Sequence, residues 1–77
     1  MIENIKNMWG IMLSDTKDQA VNAIMEEFGR GKASTKQNWI YQGMIPEEHQ
    51  ARVVEIFQNC LLQQEQRSKE IRETTLS

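Results

Sequence analysis

The search for chemistry in this chain of 77 residues starts with its nucleophiles and bases, which are one cysteine, Cys60, and one histidine, His49. A nucleophile needs an activating base beside it, and acid–base catalysis needs convergent titratable groups. The eleven carboxylates are instead spread along segments of helical periodicity. Cys60 falls in the apolar series Val53, Val54, Ile56, Phe57 and Leu61, which marks it as a core residue. His49 lies among the polar residues that open the same segment and is expected at the surface. One His and one Cys cannot close a four-ligand zinc site. The run GRGKAS, residues 29–34, has glycines and a lysine but lacks the Walker spacing, and no strand precedes it. These residues predict a protein that is not an enzyme and that uses no cofactor, no metal and no small-molecule substrate.

Binding chemistry is more visible. The chain carries a net charge of −2, but its charges are unevenly placed. Residues 15–29 sum to −3, whereas residues 30–45 hold Arg30, Lys32 and Lys36 and no acid, for +3. The whole stretch from Phe28 to Pro46 is free of Asp and Glu. Placed on a helix with Trp39 turned inward as the anchor to a core, Thr35, Ile40 and Gly43 fall on the Trp39 side. Ser34, Gln37, Asn38 and Tyr41 fall on the opposite side, with Lys36 at the boundary. Amide side chains can pair bidentately with adenine edges in the major groove, and Arg and Lys can hold phosphates. The pattern points to double-stranded DNA as the partner, ahead of the plainer alternative that these residues are the solvated side of a short helix.

The elements that position this face follow from apolar spacing. Ile2, Ile5, Met8, Trp9 and Met12 recur at three and four residues and predict a first helix ending near Leu13. Ala20, Val21, Ile24, Met25 and Phe28 predict a second, capped by Ser14, Asp15 or Thr16 and closed by Gly29. Gly29 and Gly31 bracket Arg30 in a turn. Ser34, with Gln37 three residues on, has the form of a capping box and predicts a short third helix over about 35–42, ended by Gly43. Ile45-Pro46 with Glu47 and Glu48 opens a last helix. Its buried face carries Val53, Val54, Ile56, Phe57, Cys60 and Leu61. The expected fold is all-α, a small four-helix (three to five) helix-turn-helix domain with a long C-terminal helix. Residues 1–64 form the domain, and residues 65–77 form a polar helical extension or a disordered tail.

A chain this short buries a modest core, and association is one way to enlarge it. A 3-4 series, Val54, Phe57, Leu61, Gln64, Ser68 and Ile71, offers either a seam for a homodimer or, in its first half, packing on helices one and two. A lone cysteine, no signal-peptide pattern and no apolar run of membrane-spanning length predict a cytoplasmic protein without membrane association.

The run W-I-Y-Q-G-M-I-P-E-E-H, Trp39 to His49, resembles the end of the helix-turn-helix in small phage Cro proteins and the related YdaS-like and CII-like regulators. In that family the recognition helix finishes W-x-x-x-G-x-I-P, and Trp39, Gly43, Ile45 and Pro46 agree in type and spacing. Gln19-Ala20-Val21 resembles the start of the first motif helix, where a glutamine often meets a backbone phosphate. The resemblance covers roughly residues 16–57. It departs in two places: the span from Gly29 to Trp39 is one residue longer, which a longer GRGKAS turn would absorb, and Lys36 replaces a buried Val or Ile. The resemblance implies a phage- or prophage-type transcriptional regulator that binds operator DNA as a dimer. Gln19, Arg30, Lys32, Ser34, Thr35, Lys36, Gln37, Asn38 and Tyr41 are then the DNA-contacting residues. The competing expectation is a protein-interaction module, an antirepressor or adaptor, that binds a regulator instead of DNA.

Overall fold

Four helices fold around one core in the computed structural model, which describes the backbone of residues 2–76 and the side chains of residues 2–68. The first, α1, is Ile2–Ile11, and it buries Ile5 and Trp9. It stops two residues short of Leu13, and Met12, in the corner that follows, still points into the core. The second, α2, is Ser14–Phe28, with Thr16, Ala20, Val21 and Ile24 on its inner face. The last, α4, is Glu47–Leu76 and runs without a break past residue 64. Between α2 and α4 lies α3, which opens as a single α-turn, Lys32–Ser34, and continues as a π-helix, Thr35–Tyr41.

The start of α2 lacks the predicted cap. Its N-cap residue is Leu13, which has no side chain able to accept, and Asp15 reaches only the neighbouring Thr16 amide at 3.1 Å. The free groups are instead satisfied from α4: Leu13 N–H donates to Gln64 Oε1 at 2.8 Å, and Gln64 Nε2 donates to the Ile11 carbonyl at 3.3 Å. One turn on, Arg67 donates to the fully buried Thr16 Oγ1 at 3.1 Å and pairs with Asp15 at 3.2 Å. A buried hydroxyl without a partner would cost about 1–3 kcal/mol, so Arg67 ties α4 to α2 beyond the apolar core.

These contacts decide how α4 uses its apolar series. Phe57 is fully buried and stacks on Trp9 with centroids 6.2 Å apart, and Val54 and Leu61 pack on the same core. Val54, Phe57 and Leu61 thus pack on the core of one chain and Gln64 bonds to the α1–α2 corner, which is the intramolecular packing expected as one alternative for the first half of the series. Ile71 lies outside the described side chains. Near the other end of α2, Arg52 grips Glu27 with its nearest contact at 2.6 Å and reaches Glu55 at 3.3 Å. The paired guanidinium holds the Glu27 carboxyl below the ordinary carboxylate range.

Two glycines end the helices that frame the turn. Gly29, at φ 62°, closes α2, and the next amide, Arg30 N–H, bonds back five residues to the Met25 carbonyl at 3.1 Å. Gly43, at φ 70°, closes α3 in the same way but one residue wider, since Met44 N–H bonds back six residues to the Asn38 carbonyl at 2.8 Å. The turn between the helices is only Gly29, Arg30 and Gly31. The expected longer turn is absent, and Thr35–Tyr41 instead coil as a π-helix, whose bonds reach one residue further than those of an α-helix.

Candidate functional site: the outer face of α3

The inner side of α3 is as the helical wheel anticipates. Thr35, Trp39 and Ile40 are buried. Trp39 meets Phe28 edge-on at 5.2 Å between centroids, and His49 lies 4.9 Å from Phe28 and 6.1 Å from Trp39. His49 is therefore half-buried on an aromatic pair and not a free surface residue.

Two candidate contact residues are corrected by their surroundings. Thr35 is fully buried, and its Oγ1 donates to the Gly31 carbonyl at 2.8 Å, so it holds the start of α3 and faces no partner. Ser34 does not cap the helix; it lies inside it at φ −61° and ψ −41°, because Lys32 and Ala33 already form the first turn and Gly31 takes the extended N-cap position. The Ser34 hydroxyl and carbonyl both accept from Arg30 Nη2. Arg30 in turn lies 4.2 Å over the Trp39 ring with its Nε buried and unpartnered, so its guanidinium is committed to α3, the helix it precedes. Gln19 is placed elsewhere, donating to Gln63 Oε1 on α4.

The remaining candidates stand together. Lys32, Gln37, Asn38 and Tyr41 are exposed and Lys36 is half-buried. None of them makes a side-chain hydrogen bond or ion pair among the described residues, whose ion pairs involve His49, Arg52 and Arg67 only. Tyr41 leaves 52% of its surface to solvent while its ring packs edge-on against Trp9 at 6.2 Å, which fixes its direction. Gln42 is a further exposed amide that the sequence reading places at the end of the helix and leaves out of the face. In the wider π coil it follows Asn38 at the same interval at which Tyr41 follows Gln37. The chain matches no protein-family model, no curated protein and no solved structure. The site therefore has to be read from its own geometry.

That geometry is a convex row of neutral donors and acceptors with lysines at one end, rigidly backed by Trp39 and Ile40. No group of three His, Cys, Asp or Glu side chains among the described residues could hold a metal ion. Among the described residues no helix is long and apolar enough to cross a membrane. Cys60 is buried in α4, where loss of solvent pushes its thiol pKa up, with Arg67 opposing weakly. A raised pKa leaves less of the nucleophilic thiolate.

Proposed function

We propose that this protein is a sequence-specific DNA-binding transcriptional regulator of phage or prophage type, with α3 as the helix that enters the major groove. The observation that carries the proposal is the exposed set Lys32, Gln37, Asn38 and Tyr41, with Lys36 beside it, inside a stretch of 19 residues that contains no acid. A duplex repels carboxylates, reads amides at base edges and takes cations at its phosphates. The three-residue turn Gly29–Gly31 between α2 and α3 also has the length common in helix-turn-helix pairs. The motif resemblance from Trp39 to Pro46 agrees with this reading. A symmetric dimer in the cytoplasm is part of the proposal. Apolar groups open to such a contact include Ile11 and Leu13 at the α1–α2 corner, exposed by 67% and 58%.

Selection of duplexes from a randomised pool, followed by titration at several salt concentrations, tests the proposal. Lys32→Ala is expected to weaken binding to all sequences alike, whereas Gln37→Ala and Asn38→Ala shift the preferred bases by about 1–3 kcal/mol per lost bidentate pair. A chain that binds no duplex at 50 mM salt, about the low end of the range where phosphate contacts are strong, overturns it. A complex with a regulator protein that survives the loss of Lys32 and Lys36 would favour the antirepressor or adaptor reading instead.

A further inference from the structure

The positive side chains of the described residues divide by what they touch. Arg30 is held by Ser34 and the Trp39 ring, Arg52 by Glu27 and Glu55, Arg67 by Asp15 and Thr16, and Lys17 lies 5.2 Å over the Trp9 ring. Lys6, Lys32 and Lys36 alone among these have neither an acceptor nor an aromatic face. Two of the three lie on α3. The third comes from α1, outside the acid-free stretch, yet the fold brings it to the far end of the same helix. A Cβ placed on Gly43 would stand 3.3 Å from Lys6 Cε and 3.6 Å from its Nζ, so the lysine stem lies across the glycine that closes α3. Tyr41, two residues earlier, meets Trp9 from the same α1 helix. The exposed row Gln37, Asn38, Tyr41 and Gln42 is thus bounded by Lys32 and Lys36 at its start and by Lys6 at its finish.

We infer that Lys6 is a phosphate-binding residue of the α3 surface, holding the DNA backbone at the C-terminal end of the helix while Lys32 and Lys36 hold it at the other. The inference rests on the DNA reading of α3. A helix in the major groove is flanked by phosphates on both walls, and cations at one end only would leave its tilt free. A role confined to the protein is the alternative: an ammonium near the last carbonyls of a helix offsets its dipole. No carbonyl or carboxylate accepts a hydrogen bond from Lys6 among the described residues, which leaves its donors for a ligand.

The test is the slope of log affinity against log salt concentration for duplex DNA, measured on the full chain. Each phosphate contact contributes about 0.9 to that slope, so between 50 and 200 mM salt the wild type should lose roughly 3.5-fold more affinity than Lys6→Gln. Lys6→Arg keeps the wild-type slope. Gln58→Glu makes the same change of charge at an exposed position of α4 and should leave the slope unchanged, which separates a contact from net charge. Thermal unfolding of each variant reports a purely structural role, which would lower the melting temperature and leave the slope alone. If Lys32→Gln reduces the slope and Lys6→Gln does not, the inference is overturned while the DNA reading stands. If the wild type itself binds no duplex, both fall.

Discussion

Replacing Gly43 with alanine should destabilise the protein far more than the same change at Gly29, although both glycines have nearly the same backbone. Their φ values are 70° and 62°, so each substitution incurs the left-handed cost of about 1–2 kcal/mol. At Gly29 nothing lies within 4 Å of the added Cβ, and the backbone cost is the whole effect. At Gly43 the Cβ would stand 2.9 Å from Ile2 Cγ2, closer than real methyl groups approach, and 3.3 Å from Lys6 Cε. The lysine end can swing away, but Ile2 is β-branched with a stiff χ1 on a helix, so its methyl yields only if α1 shifts. Overpacking of this kind adds about 1–3 kcal/mol. Gly43→Ala should therefore cost about 2–5 kcal/mol in all, which for a domain of this size is on the order of 10–30 °C in melting temperature. Chemical denaturation followed by the fluorescence of Trp9 and Trp39 measures both variants. Ile2→Ala should recover part of the loss in Gly43→Ala, giving a favourable coupling of about 1–2 kcal/mol as expected for groups in direct contact. Equal costs at the two glycines, or no coupling to Ile2, would refute the close approach of α1 to the end of α3, and the placement of Lys6 with it.

Two further outcomes follow from titratable groups. The Glu27 carboxyl has a folded pKa below its ordinary 4.5 because Arg52 hydrogen-bonds it, so its contribution to stability is present above pH 4.5 and is lost as pH falls through the lowered value. The gap in melting temperature between wild type and Glu27→Gln should accordingly close on acidification below that range; a gap that persists at pH 2 would show that Arg52 acts there by packing alone. Cys60, buried and with its thiol pKa raised, should react with a thiol reagent only as fast as the protein opens, so its labelling rate in native buffer should track denaturant-measured stability across variants. Rapid labelling of the folded chain would contradict its place in the core.

How far the sequence spoke depended on whether a feature is set locally. Apolar period and glycine position carry α1, α2 and the start of α4, and a single indole on a polar stretch orients α3 correctly, with Trp39 and Ile40 inside and Gln37, Asn38 and Tyr41 outside. Three features were not legible because they depend on side-chain contacts that the apolar pattern does not mark. Ser34 and Gln37 have the form of a capping box, yet Arg30 claims the hydroxyl and the helix begins earlier. Gln64 looks like a weak seam residue until it is seen to satisfy the corner between α1 and α2, 51 residues away. Lys6 has no marked neighbour along the chain and joins α3 only through the fold. The π-helix is illegible for a different reason: the same side chains suit an α-helix, and only the distance to be spanned between two anchored ends sets the width.

Those anchored ends explain why a poorer helix is kept. Bonds to the fifth residue are rare because they form a wide, weakly packed coil, and such turns persist where surrounding contacts over-determine them. At the start, the Thr35 amide and hydroxyl both bind the Gly31 carbonyl, and Arg30 clasps Ser34 while lying on Trp39. At the finish, Gly43 is seated against Ile2 beneath Lys6. Both ends are pinned and Thr35, Trp39 and Ile40 are buried between them, which holds the wide coil in place. A wide coil carries more residues per unit of helix length, and the side chains it leaves exposed at its outer face and end are Gln37, Asn38, Tyr41 and Gln42. A surface meant only to be solvated gains nothing from this arrangement. One that must present polar groups at fixed positions to a partner gains both density and rigidity, and this is the physical reason for placing function on the outer face of α3 and not on the longer, more regular α4.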